Sequence, residues 1–154
     1  MGDSAAGNIE FGSDVDYFAV ELQAGGRYSF HTTLLNLPDS VLYLYGPDGW
    51  TLLDYHDDIS WPDDPSSRIE WIAETSGTYY AAVEAYDFTE TGDYTLDVQL
   101  LNFVPILTPI DDQLMEPEQD SVAVTLAADN ADGDPLVYSV FVLGADAHAA
   151  AAYT

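Results

Sequence analysis

The sequence contains no cysteine and no lysine, and its only basic side chains besides three histidines are Arg27 and Arg68. Without cysteine there are no disulfides and no thiolate metal sites, and cysteine pairing says nothing of the redox compartment. Two cations in 154 residues cannot make the basic footprint that nucleic acid binding requires. An anionic membrane surface repels such a chain. No apolar run approaches the roughly 20 residues of a membrane span, so membrane insertion is not expected. Met1-Gly2-Asp3-Ser4 lacks the basic and apolar regions of a signal peptide, so any secretion signal has been removed or lies outside this chain. Catalytic signatures are missing too. His31, His56 and His148 show no His-Glu-x-x-His spacing, and there is no Gly-x-Ser-x-Gly elbow. The chain is not expected to be an enzyme.

What is present is acid. There are 28 Asp plus Glu, for a formal net charge of −26. Many sit in pairs at the ends of apolar runs: Asp14-Val15-Asp16, Asp57-Asp58, Asp63-Asp64, Asp111-Asp112 and Asp129-Asn130-Ala131-Asp132-Gly133-Asp134. Two carboxylates about 5 Å apart repel by roughly 3 kcal/mol at an effective dielectric near 20. Turns that hold such pairs need a cation, and the chain supplies almost none. Oxygen-rich anionic loops are the coordination chemistry of Ca²⁺, which is therefore the expected cofactor. The competing explanation is halophilic solvation, which spreads acids over exposed strand faces rather than concentrating them in turns.

High charge with low hydrophobicity gives disorder. Here 47% of residues are hydrophobic and 13% aromatic, with 11 Tyr, 6 Phe and 3 Trp, so a core can form. Strand periodicity dominates. Phe18, Val20 and Leu22 alternate with Ala19 and Glu21. Tyr28 and Phe30 follow the Gly25-Gly26 turn, and Leu42 and Leu44 alternate with Tyr43 and Tyr45. Gly46-Pro47-Asp48-Gly49 has the chemistry of a turn. Trp50 and Leu52 resume the chain before a polar loop from Tyr55 to Ser67. Ile69 and Trp71, then Tyr79, Ala81 and Val83, then Tyr94, Leu96, Val98 and Leu100 complete the series. No helical period of useful length is present. Short strands separated by Gly, Pro and Asp predict an all-β, antiparallel sandwich. The composition shifts at residues 102–109, where Pro105 and Pro109 mark a stiff extended linker. Beyond it, further strands are expected around Ile110–Met115, Ser121–Leu126 and Leu136–Leu143.

From about Gly7 to Leu100 the chain resembles a bacterial pre-peptidase C-terminal domain. Asp14-Val15-Asp16-Tyr17-Phe18, Ala24-Gly25-Gly26-Arg27-Tyr28-Ser29-Phe30, Asp39-Ser40-Val41-Leu42-Tyr43-Leu44-Tyr45, Gly49, Leu52-Leu53, Asp57-Asp58, Ser67-Arg68-Ile69, Ser76-Gly77-Thr78-Tyr79-Tyr80 and Thr91-Gly92-Asp93-Tyr94-Thr95-Leu96 carry the match. The resemblance implies a jelly-roll-like β-sandwich over residues 1–101, of a kind appended to secreted peptidases and large surface proteins. It implies attachment, stability or secretion rather than catalysis, with calcium bound in several members. Within the segment 102–154, residues from about Asn102 to Leu143 resemble the first half of a cadherin-like or bacterial immunoglobulin-like repeat, through Asn102, Pro105, Ile110, Asp112-Gln113, Glu116 and Asp132-Gly133-Asp134-Pro135-Leu136-Val137-Tyr138-Ser139. That implies a partial second immunoglobulin-like β unit. Such repeats usually place Asp where Asn130 stands, an oxygen ligand of lower charge.

Three candidate calcium sites follow. Asp57 and Asp58 can converge with Asp39 at one end of the sandwich, against the alternative of a solvated loop with Asx-turns. Asp14 and Asp16 flank Val15 and point to one face, with Asn8 and Glu10 near them; a charged edge that blunts aggregation is the alternative. Asn130, Asp132 and Asp134, with Glu116, form the third. An EF-hand is rejected there, because Ala128 and Ser139 occupy its first and twelfth positions. Trp50, Tyr55 and Trp61 suggest an aromatic platform for sugar or protein, or simple packing. The expected function is a calcium-binding, extracellular, cell-surface structural or adhesive module. Three C-terminal strands with an uncovered apolar face point to self-association, by strand complementation into a filament. The alternative is an accessory domain of a secreted hydrolase, binding a polymer such as polysaccharide or collagen.

Overall fold

The computed structural model describes residues 2–114 and 117–139. It divides into two compact units, Met1–Val104 and Pro105–Thr154. The first carries eight strands: β1 (Gly2–Ile9), β2 (Val15–Leu22), β3 (Gly26–Leu34), β4 (Ser40–Tyr45), β5 (Leu52–His56), β6 (Arg68–Ile72), β7 (Gly77–Ala85) and β8 (Gly92–Phe103). They form two four-stranded sheets, ordered β1-β8-β3-β6 and β2-β7-β4-β5. Every pairing is antiparallel. The expected all-β antiparallel sandwich is what the chain forms.

The alternating residues are those that meet between the sheets. Phe30, Ile69, Tyr94 and Leu96 from one sheet join Leu22, Leu42, Leu44, Tyr79, Ala81 and Val83 from the other in a single buried cluster. Burying a side chain of this size contributes about 1.5–3 kcal/mol. Phe18, Val20, Trp71 and Leu100 pack at its margin. The Gly46–Gly49 turn closes with Gly49 N–H donating to Gly46 O at 2.9 Å, and Gly49 takes φ +79°. Asp48 Oδ1 accepts from the N–H groups of Trp50 and Thr51.

β1 is a strand that alternation did not reveal. Gly2-Asp3-Ser4-Ala5-Ala6-Gly7-Asn8 has no apolar face, yet it pairs along its length with β8, from Gly2 opposite Gln99 to Ile9 opposite Gly92. Gly7 fits because the Tyr94 ring lies where a Cβ would stand, 2.2 Å from Cζ. β8 also runs past the expected linker boundary, pairing Asn102 with Arg27 and Phe103 with Gly26.

One end of the sandwich is fastened by buried hydroxyls. Thr32 Oγ1 and Ser40 Oγ lie 2.8 Å apart, and Ser67 N–H donates to Thr32 Oγ1 at 2.8 Å. Ser67 Oγ lies 2.6 Å from Ser40 O and 2.5 Å from Asp57 O. These bonds join β3, the start of β4 and the two ends of the β5–β6 loop.

The second unit is simpler than expected. Among the described residues it holds one two-stranded pair, β9 (Ile106–Leu107) with β10 (Ala128–Asp129). Residues 110–114, 121–126 and 136–139 form no strand, which corrects the expected immunoglobulin-like piece there. Alternation makes a sheet only where a paired neighbour takes the backbone bonds and a second layer covers the apolar face. Here Val122 and Val124 are exposed, and Val137 is 95% exposed. The remainder of the third expected strand lies outside the described residues.

Candidate functional site

The end fastened by Thr32, Ser40 and Ser67 is where three loops meet: β3–β4, β5–β6 and β7–β8. Asp39 ends the first, and Asp57 and Asp58 open the second. One carboxylate oxygen from each of these three residues lies within 4.8 Å of the others. Asp39 is only 8% exposed. Its Oδ1, Asp57 Oδ1, Asp58 Oδ1 and Glu90 Oε2 are all buried without a hydrogen-bond partner among the described residues. The β7–β8 loop is anchored at this place as well, through Tyr86 N–H to Asp39 O at 3.4 Å.

Electrostatics reflect the crowding. The Asp39 carboxyl is pushed up to about 6, first by burial, then by the charges of Asp58, Asp57 and Glu90, while a backbone hydrogen bond involving Ser40 pulls the other way. Burial, and then Asp58, also push the Asp57 carboxyl up, with His56 opposing. Neither arginine is ion-paired with these acids among the described residues. Arg27 on β3 is paired with Glu70 on β6, and Arg68 also lies on β6. His56 Nδ1 accepts from Arg68 N–H at 3.3 Å. Sequence reading brought Asp39, Asp57 and Asp58 together but missed Glu90, a single acid in Thr89-Glu90-Thr91 with no local pattern.

The other acids named from sequence are placed differently. Asp14 Oδ2 accepts from Glu10 N–H at 3.0 Å, latching the β1–β2 turn. Asp16 Oδ2 accepts from Asn8 N–H at 3.1 Å and from Tyr94 O–H at 2.8 Å. Burial and the Asp16 bond together push the Tyr94 hydroxyl well up. Asn130 Nδ2 donates to Asp134 O at 2.5 Å and Asp134 N–H to Asp132 Oδ1 at 3.4 Å, a local turn around Gly133. Glu116 lies outside the described residues. Asp39, Asp57 and Asp58 are the one group of three acid, His or Cys ligands that converges among the described residues.

A second feature occupies the outer face of the β2-β7-β4-β5 sheet. Tyr17, Tyr45, Tyr43 and Tyr55 follow one another across it. Ring centroids are 6.4 Å apart for Tyr17 and Tyr45, 6.5 Å for Tyr45 and Tyr43, and 6.1 Å for Tyr43 and Tyr55. The last two pairs are near parallel, at 24° and 22°. Tyr17 and Tyr55 are 65% and 61% exposed. Tyr43 O–H donates to Glu84 at 2.6 Å, and burial followed by this bond pushes the hydroxyl up. No strand of this sheet contains Lys or Arg. Of the suggested platform, only Tyr55 belongs to the row; Trp50 and Trp61 are exposed and make no ring contact among the described residues.

Residues 14–85 match the family model of the bacterial pre-peptidase C-terminal domain. Among solved structures, the fold is similar to the pre-peptidase C-terminal domain of collagenase from Bacillus anthracis. The two are 16% identical with a TM-score of 0.53, over 64% of this chain and 90% of that one. Aeromonas hydrophila PliG, a periplasmic inhibitor of g-type lysozyme, is 14% identical with a TM-score of 0.48, over 64% and 85%. The search of curated proteins found no match. The cadherin-like resemblance of the C-terminal part has no counterpart in these comparisons. Among the described residues, no helix is long and apolar enough to cross a membrane.

Proposed function

We propose that the chain is a non-catalytic accessory module of a secreted hydrolase, attaching its parent to an extracellular polymer such as a polysaccharide or collagen. The match of residues 14–85 to the bacterial pre-peptidase C-terminal domain supports the accessory role, because the resemblance implies a domain appended to secreted peptidases and large surface proteins. The tyrosine row carries the attachment. Tyrosine offers a large flat contact area with little side-chain entropy to lose, and exposed rings in register make a surface rather than a core. Flat rings stack on sugar rings, and aromatic-lined surfaces also take proline-rich extended chains. The net charge of −26 disfavours acidic polymers, which leaves neutral or basic ones.

Assembly into a filament drew its support from three C-terminal strands with an uncovered face. The described residues of that segment form none of them, so attachment is the reading proposed.

Co-sedimentation with insoluble cellulose, chitin and fibrillar collagen tests it. Tyr17→Ala with Tyr55→Ala should weaken binding to the polymer that is retained by roughly tenfold or more, with an unchanged melting temperature. Retention by none of the three, or equal retention of the double variant, refutes the proposal.

A further inference from the structure

We propose that Asp39, Asp57, Asp58 and Glu90 form one Ca²⁺ site that cross-links the three loops at this end of the sandwich. An acidic cluster alone would not carry this, because exposed acids are common on so acidic a chain. The decisive observation is burial without partners. Asp39 is more than nine-tenths buried, one of its carboxylate oxygens converges with those of Asp57 and Asp58, and its Oδ1 accepts no hydrogen bond. Of the six buried side-chain polar atoms without a partner among the described residues, four are oxygens of these four acids.

A buried carboxylate without a donor is costly unless a cation or proton compensates it. Its own neighbours make matters worse, since Asp57, Asp58 and Glu90 all act on Asp39 with the same sign. Among the described residues neither arginine is ion-paired with the cluster, and Arg27 is engaged with Glu70. An external cation resolves the imbalance.

Ligand chemistry selects the ion. All four donors are carboxylates, with no His or Cys in the group, which disfavours zinc. They come from three separate loops, whose spacing can adjust to the larger, irregular shell that Ca²⁺ accepts. Mg²⁺ demands near-ideal octahedral geometry and gives up water reluctantly. Glu90 matters because it is the ligand from the β7–β8 loop, which Tyr86 N–H also fastens to Asp39 O, so that binding ties all three loops together.

Calorimetric titration of the chelator-stripped full chain with CaCl₂ and with MgCl₂ is the test. Wild type should bind Ca²⁺ at least tenfold more tightly than Mg²⁺. Asp57→Asn with Asp58→Asn should weaken calcium at least tenfold, and Glu90→Gln should weaken it severalfold; the variants should keep wild-type far-ultraviolet circular dichroism. Asp14→Asn should leave the affinity unchanged. Any of three results overturns the proposal: no calcium binding by wild type, equal affinity in the Asp57/Asp58 and Glu90 variants, or loss in Asp14→Asn instead. Equal affinity for Mg²⁺ overturns the choice of ion.

Discussion

At the scale of single residues, Asp39 shows how position overrides chemistry. It is an ordinary aspartate by sequence, one of many acids in the chain. The fold buries it among three like charges, and its carboxyl is pushed up to about 6. The unfolded chain releases that proton near 3.9. Between these values the folded state binds more protons, so the stabilisation from this group is complete below about pH 3.9 and is lost as pH rises through about 6. Other carboxylates act oppositely. Thr51, Ser66 and Thr89 donate to Asp48, Asp64 and Asp87 and hold them low, so their contribution is lost as pH falls. Comparing wild type with Asp39→Asn isolates the Asp39 contribution. In chelator, the melting temperature of wild type should drop relative to the variant as pH goes from 5 to 8, and saturating calcium should remove that drop. Parallel melting curves against pH in chelator would contradict it.

At the scale of elements, the outer strand β1 depends on a space rather than on propensity. Tyr94 is fully buried, its hydroxyl is held by Asp16, and its ring meets Phe18 edge-on at 6.3 Å between centroids. The ring is thus fixed from two sides and cannot yield to a methyl group at position 7. Gly7→Ala should cost about 1–3 kcal/mol, in the range of other overpacked positions. Gly2→Ala is the control on the same strand, because a Cβ there would meet its nearest atom, Val98 O, at 3.4 Å. Urea denaturation of the two variants should show a lowered midpoint for the first and little change for the second.

At the scale of the whole molecule, charge balance sets the conditions under which the sandwich is stable. A net charge of −26 repels itself, and any salt relieves part of that repulsion by screening. Site binding differs from screening in magnitude and in ion identity. An ion bound only by the folded state stabilises it by about 2.7 kcal/mol at a hundredfold excess over Kd. Melting in chelator, in chelator with high NaCl, and in calcium should therefore give three distinct temperatures, with calcium the highest. If NaCl restores all that calcium restores, the acidity is halophilic solvation.

Side-chain order along the chain was enough to specify the strands whose apolar residues alternate, from Phe18-Val20-Leu22 to Tyr94-Leu96-Val98, because alternation is a local property that any two-layer β fold must bury. Turn chemistry at Gly46–Gly49 was legible for the same reason, as was the grouping of Asp39 with Asp57-Asp58, since each lies just outside an alternating run. What lay between elements was not legible. β1 exists because β8 offers it a partner, whereas the alternating residues 121–126 form no strand, lacking one. Glu90 joins the acids, and Tyr17 lines up with Tyr45, Tyr43 and Tyr55, only after strand order places distant segments side by side. Pairing and convergence depend on distances in space, and these the tertiary structure alone decides.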